Sequence, residues 1–210
     1  MPVAPVTAQN TTVSTSMKFE DIRQEYIDLL ARMQVISSRK TLIEQQIDRI
    51  LVGKRRYQAF VATLGAAIPW HAVALIHSME KGSDVGAFHC HLHNGDPLSE
   101  RTIHVPAHRP PPSAGDPPFT WEASAKDALG IEGFLTETDW STPHLLYLLE
   151  KYNGFGTRRH HQMATPYLWS FSSLYASGKY VADGAWSATA VSQQAGAATI
   201  LKRALERGVI

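Results

Sequence analysis

The chain has 210 residues, 44% of them hydrophobic, a formal net charge of +1 and one cysteine, Cys90. That is enough apolar material for a sizeable core, while the near-neutral charge gives no reason to expect a nucleic-acid partner. One cysteine excludes an internal disulfide framework, and no apolar run reaches the roughly 20 residues that span a bilayer. The expected architecture is α+β, mainly α: a flexible arm over residues 1–16, then one domain over 17–210, with N-terminal helices at 17–65 and a core at 66–210. The arm lacks the basic cluster and continuous apolar centre of a signal peptide.

Phe19, Ile22, Tyr26, Leu29, Leu30 and Met33 recur at three- and four-residue steps, which predicts an amphipathic helix opening at or just after Ser16. A second helix starts at about Ser37 or Ser38 and carries Leu42, Ile43, Ile47, Ile50 and Leu51; Gly53 kinks or ends it, and Tyr57, Phe60, Val61 and Leu64 continue the period to Gly65. Pro69 then opens a helix whose dense apolar run, Val73, Ala74, Leu75, Ile76 and Met79, ends at Glu80 before Lys81-Gly82-Ser83. Between Ala87 and Pro118, Asn94-Gly95-Asp96-Pro97 and six further prolines predict a small hairpin or an irregular lobe. Helix resumes over Trp121–Leu129 with Thr120 as N-cap and Glu122 in the first turn, and again from Thr142-Pro143 to Tyr152, stopping at Asn153-Gly154. Tyr167 to Trp186 is aromatic and glycine-rich, a loop with one short helical piece; a final helix is expected from about Ser187 to Leu205.

Glu80 is the residue on which the chemistry turns. A carboxyl delivered to the last turn of a buried helix meets apolar walls, the negative end of the helix dipole and little water, conditions that favour its protonated form and suit a general acid. The bland alternative is a solvated carboxylate before a glycine. Asp96 is the candidate second group, and its place before Pro97 suits an Asx-turn equally well.

A helix ending in Glu80, a small lobe with Asn-Gly-Asp and Leu148-Leu-Glu-Lys-Tyr-Asn-Gly-Phe-Gly156 at a helix end resemble the layout shared by goose-type lysozymes and lytic transglycosylases, and His91-Leu-His-Asn-Gly-Asp-Pro-Leu98, Arg101-Thr-Ile-His-Val-Pro106, Pro118-Phe-Thr-Trp-Glu122 and Gly178-Lys-Tyr-Val-Ala-Asp-Gly184 resemble bacterial and phage lysozyme family proteins. The stretch Lys81–Cys90 departs from that pattern, which more often has a Glu-Ser pair and an Asn-rich turn there. The resemblance implies a lysozyme-like helical domain with a small β or irregular lobe forming one wall of a cleft. It implies cleavage of the β-1,4 bond between N-acetylmuramic acid and N-acetylglucosamine, with Glu80 protonating the leaving oxygen and Asp96 activating water or shielding an oxocarbenium ion. A lytic transglycosylase needs only Glu80, because the sugar's own C6 hydroxyl attacks. Tyr152 and Asn153 are then cleft-lining residues, with core packing and a helix C-cap as the plain alternative; His93 and Asn94 are binding candidates on the lobe. Tyr167 and Trp169 are the aromatic residues chosen to stack on sugar rings. The expected partner is peptidoglycan, bound by a monomer with no cofactor. An enzyme made in the cytoplasm without an export signal reaches the wall through a separate releasing factor.

Two rival signals remain. On a strand, His89, His91 and His93 would share one face with metal-ligand spacing, and Glu100 loosely echoes cupin ligands, but cupins are all-β and this chain is helical by period; no metal is expected. His77, one turn before Glu80, is placed to contact its carboxylate, and if charged would oppose the acid role. His160 and His161 beside Arg158 and Arg159 form a basic cluster, either a solvated loop or an attraction for the anionic wall. A non-catalytic wall-binding or metal-binding module is the reading from a different class.

Overall fold

Apolar residues at helical spacing fold as helix through most of the chain. The computed structural model describes residues 6–81, 87–182 and 184–210. In chain order it contains α1 (Phe19–Arg32), α2 (Lys40–Val52), α3 (Lys54–Ala62), α4 (Trp70–Lys81), α5 (Trp121–Ile131), α6 (Thr142–Asn153), α7 (Gly156–His161), α8 (Pro166–Trp169), β1 (Lys179–Ala182), β2 (Ala185–Ser187) and α9 (Ala197–Glu206). The class is α+β and mainly α. By internal contacts the chain forms two compact units, Met1–Ile47 with Ser141–Ile210, and Asp48–Trp140. These boundaries differ from the division at residues 65/66 that the sequence suggests.

In the first unit, α1 lies along α6, and α6 also packs on α8 and α9. The apolar side of α1, Ile22, Tyr26 and Leu29, meets Leu145, Leu146, Leu148 and Leu149 in one buried layer. Lys202 on α9 closes the C-terminal end of α1, its Nζ donating to the carbonyls of Leu30 at 2.8 Å and Met33 at 2.6 Å, where the helix leaves acceptors unfilled. Below this layer Arg158 is buried with Glu150. Its Nε and Nη2 donate to the Glu150 carboxylate at 2.9 and 3.0 Å, Nη1 donates to Glu25 at 2.5 Å, and the Tyr26 hydroxyl donates to Glu150 at 2.6 Å.

Three expectations for this unit need correction. The arm is not loose over its described part: the Gln9, Thr11 and Val13 amides donate to the carbonyls of Ser173, Leu174 and Gln162, and Val13 is buried. Its β-branched residues suit the extended backbone that this pairing requires. The stretch Tyr167–Trp186, expected as a loop with one short helical piece, carries the only strand pair among the described residues, at 179–187 with Tyr180 opposite Trp186. The last helix opens at Ala197 rather than Ser187, because Gly196 donates its N–H to the Ser170 carbonyl at 3.0 Å and sits where any Cβ would come within 2.2 Å of the Leu168 oxygen.

In the second unit α3 packs on α4, and Thr120 caps α5 as its sequence predicts, accepting from the Ala123 amide at 3.1 Å. Residues 87–118 form the irregular lobe, with one isolated bridge between Cys90 and Pro97. Prolines remove the donors a ladder needs, so side chains take over. Thr102 accepts from the Arg109 amide at 2.9 Å and donates to the Pro106 carbonyl at 2.5 Å, while the Arg101 guanidinium donates to the carbonyls of Pro110 and Gly115.

Removing one member of a buried ion pair strands the other. Arg158→Met should therefore cost about 3–5 kcal/mol in urea unfolding, and adding Glu150→Met to it should recover part of that loss; equal stability of parent and single variant would contradict the buried-pair account.

Candidate functional site

Helix α4 is buried from Ala72 through Ser78, and its end brings Glu80 to a half-buried position. Behind the helix lies an aromatic cluster in which the rings of Tyr57, Phe88 and Trp121 stand 5.9, 5.2 and 5.2 Å from His77. Gly53 makes room for it, since a Cβ there would lie 2.8 Å from the Tyr57 ring and 2.9 Å from that of Phe88. His77 does not turn to Glu80 in the contacts that place it: Nδ1 is 2.7 Å from the Tyr57 hydroxyl and Nε2 is 3.6 Å from Cys90 Sγ. Burial, then the charges of His89, Arg56 and Lys81, push its pKa down to about 3. Burial likewise holds the Tyr57 hydroxyl protonated, so Tyr57 donates to Nδ1 and the imidazole keeps its proton on Nε2. A neutral His77 does not counter an acid role for Glu80.

The turn 94–96 lies against the end of α4. Gly95 has φ +79°, and a Cβ on it would sit 2.7 Å from the Glu80 carbonyl oxygen, so both the backbone angle and the close approach demand glycine. Asn94 makes the Asx-turn, its Oδ1 accepting from the Asp96 amide at 3.0 Å, while Nδ2 donates to the His104 carbonyl at 3.0 Å. The expected second catalytic group is thus neighbour to a turn that touches Glu80, but its carboxylate is already engaged. Asp96 Oδ2 accepts from the amides of Ile103 at 2.8 Å and His104 at 3.0 Å, and Oδ1 from His104 Nδ1 at 2.7 Å. The side chain is 7% exposed. Burial pushes its pKa up, but the hydrogen bonds from the His104 amide and ring and from Ile103 outweigh this and hold it below the usual carboxylate range. These bonds give Asp96 the geometry of a carboxylate that fastens a loop.

The alternating histidines part company. His89 is exposed. His91 is buried, with Nε2 donating to the Glu100 carbonyl at 2.7 Å and Nδ1 2.7 Å from Ser124 Oγ. His93, taken as a binding residue, is buried and donates from Nε2 to Asp127 at 2.9 Å; Asp127 is in turn held by Arg109. Burial pulls the His93 pKa down, and the Asp127 hydrogen bond opposes it only in part. No group of three or more His, Cys, Asp or Glu side chains able to hold a metal occurs among the described residues. Ser124, His93 and Asp127 superficially resemble a nucleophile triad. The serine is fully buried and 3.5 Å from His93 Nδ1, which makes this a packing network rather than an exposed nucleophile.

The remaining candidates lie in the first unit. Tyr152 is half-buried on α6 and Asn153 exposed at its end, where Gly154 at φ +84° stops the helix. Tyr167 is half-buried at α8, its amide donating to Thr165 Oγ1. Trp169 must be withdrawn as a sugar platform: it is 0% exposed, on the helix α8 that packs against α6 and α9. Sequence reasoning missed Asp127, Arg109 and Ser124, whose partners lie 18 to 34 residues away, and the bond that His104 makes to Asp96 across the lobe. The part of the atypical stretch 81–90 at 82–86 falls outside the described residues. Comparison of the chain with protein-family models, curated proteins and solved structures returns no match.

His77 gives a pH test. Its pKa in the fold is lower than the ordinary value of 6.5, so its contribution is fully present above that value and is lost as pH falls towards about 3. Unfolding free energy should drop across this window at up to about 1.4 kcal/mol per pH unit from this group, with His93 adding to it. His77→Gln should unfold with a shallower acid limb; an unchanged limb would remove His77 from the account.

Proposed function

We propose that the chain is a peptidoglycan glycosidase that uses Glu80 as its general acid on the β-1,4 bond between N-acetylmuramic acid and N-acetylglucosamine. The observation that carries this reading is the placing of Glu80: a half-buried residue on the last turn of a buried helix, with a glycine turn packed on its own carbonyl. An apolar helix and the negative end of its dipole favour a carboxyl that holds its proton. The resemblance to lysozyme family proteins supplies the substrate.

In this reading the Glu80 proton passes to the glycosidic oxygen as the bond from that oxygen to C1 breaks, and the electron pair leaves with the departing sugar. The C1 cation is then captured by water, or by the C6 hydroxyl of the same sugar to give a 1,6-anhydro end; either nucleophile gives up a proton, which restores Glu80. With the Asp96 oxygens committed to protein donors, a single-acid mechanism is favoured over one that needs two carboxylates. Asn94, in the same unit as Glu80, remains a proposed glycan contact. No helix among the described residues is long and apolar enough to cross a membrane. We place the site of action at the cell wall.

Glu80→Gln keeps the shape and removes the proton. It should slow clearing of purified cell walls by ~100-fold or more while co-sedimentation with walls is retained, the scale expected of a general acid. A variant that clears walls as fast as the parent overturns the acid assignment. A parent that binds walls and never clears them identifies a non-catalytic binding module instead.

A further inference from the structure

The lysine that closes α1 belongs to the walls of two hollows in the first unit. One, of about 560 Å³, lies between α1, the start of α6 and the end of α9, and much of its lining is hydrocarbon from Ile27, Leu30, Ala31, Pro143 and Leu205. Ile27 and Leu205 are both exposed, so large apolar side chains from two helices meet solvent in one place. The other, of about 370 Å³, is lined by Val35 and Ser37 from the chain after α1, by Lys40 at the start of α2 and by Arg203 on α9. Lys202 and Glu206 line both hollows. The Lys202 ammonium bonds the carbonyl of Leu30, which lines the first, and that of Met33, which lines the second.

The charges around the second hollow do not cancel. Glu206 is bonded by Arg203, and Glu44 by Arg203 and Arg207. These two carboxylates are matched by the two guanidiniums, so the ammonium groups of Lys202 and Lys40 are in surplus. Lys202 spends its hydrogens on the carbonyls of Leu30, Ala31 and Met33, and contributes charge without a donor to spare. Lys40 is exposed, and its ammonium is the donor that a ligand in this hollow would meet. We propose that the two hollows together bind one anionic amphiphile, a long-chain carboxylate, with its chain in the apolar hollow and its head at Lys40. Each hollow is of the size that holds part or all of one small molecule, and the sign of the surplus charge selects an anionic head. The site lies in the unit that does not contain Glu80, and it stands without the glycosidase reading.

The test titrates the full chain with octanoate, decanoate and dodecanoate, each below its micelle-forming concentration, and with decanol. The carboxylates should bind one per chain, and each added methylene should tighten binding ~4-fold, the equivalent of about 0.8 kcal/mol. Lys40→Gln should weaken decanoate ~2–5-fold and leave decanol unchanged, and the loss should shrink in high salt, as expected of one exposed charge pair. Ala31→Phe fills the apolar hollow and should weaken both ligands ~10-fold or more. Leu205→Gln, at an exposed position, should weaken both as well and serves if Ala31→Phe fails to fold. Affinity that does not grow with chain length overturns the site, as does a Lys40→Gln variant that weakens both ligands alike or neither. Binding to phosphatidylglycerol vesicles without uptake of decanoate would give this face to a membrane surface and overturn the single-molecule site. A dimer in sedimentation that Leu205→Gln dissociates would give it to a second copy, with the same consequence.

Discussion

The arrangement depends on one close approach, that of a glycine without a side chain to the carbonyl of a helix's penultimate residue. Gly95 fits under the Glu80 oxygen where any Cβ would collide at 2.7 Å, which sets the distance between the end of α4 and the turn 94–96. One turn earlier the helix is fixed by His77, wedged among Tyr57, Phe88 and Trp121 and hydrogen-bonded to Tyr57. Held at both points, the helix end has little freedom, which would suit the acid role proposed for Glu80.

The lobe beside it is held by a different kind of force. Its prolines deny it a sheet, and its stability falls to side chains that each satisfy several backbone groups: Asp96 with two amides and a ring, Thr102 as donor and acceptor, Asp127 between Arg109 and His93. Such networks specify one geometry when complete and are costly when broken. They also explain why carboxylates and imidazoles that look catalytic by type are engaged within the lobe.

Local signals were legible where local physics decides. Helical period marked α1 to α6, Thr120 read as an N-cap and Gly154 as a stop, and the prolines announced an irregular lobe. What failed depended on distant partners. The alternation of His89, His91 and His93 presumes a strand; in the turn that forms instead, His91 and His93 reach different partners in Ser124 and Asp127, both on α5. Val191 lies in the periodic stretch before α9, yet the chain there is loop, because Gly196 is pressed on the backbone of Leu168. Trp169 is aromatic and follows a loop-rich segment, but nothing in its neighbours says that it is the core it enters. Asp96 reads in sequence as a second catalytic group or an Asx-turn former, and the donors that occupy it come from the folded lobe.

The most direct test of Glu80 as a sugar-cleaving acid is mass spectrometry of what the parent chain releases from purified, peptide-trimmed peptidoglycan. The account predicts short glycan fragments ending in N-acetylmuramic acid, with either a free reducing end or a 1,6-anhydro ring. Intact strands, or fragments cut solely at peptide bonds, would contradict it.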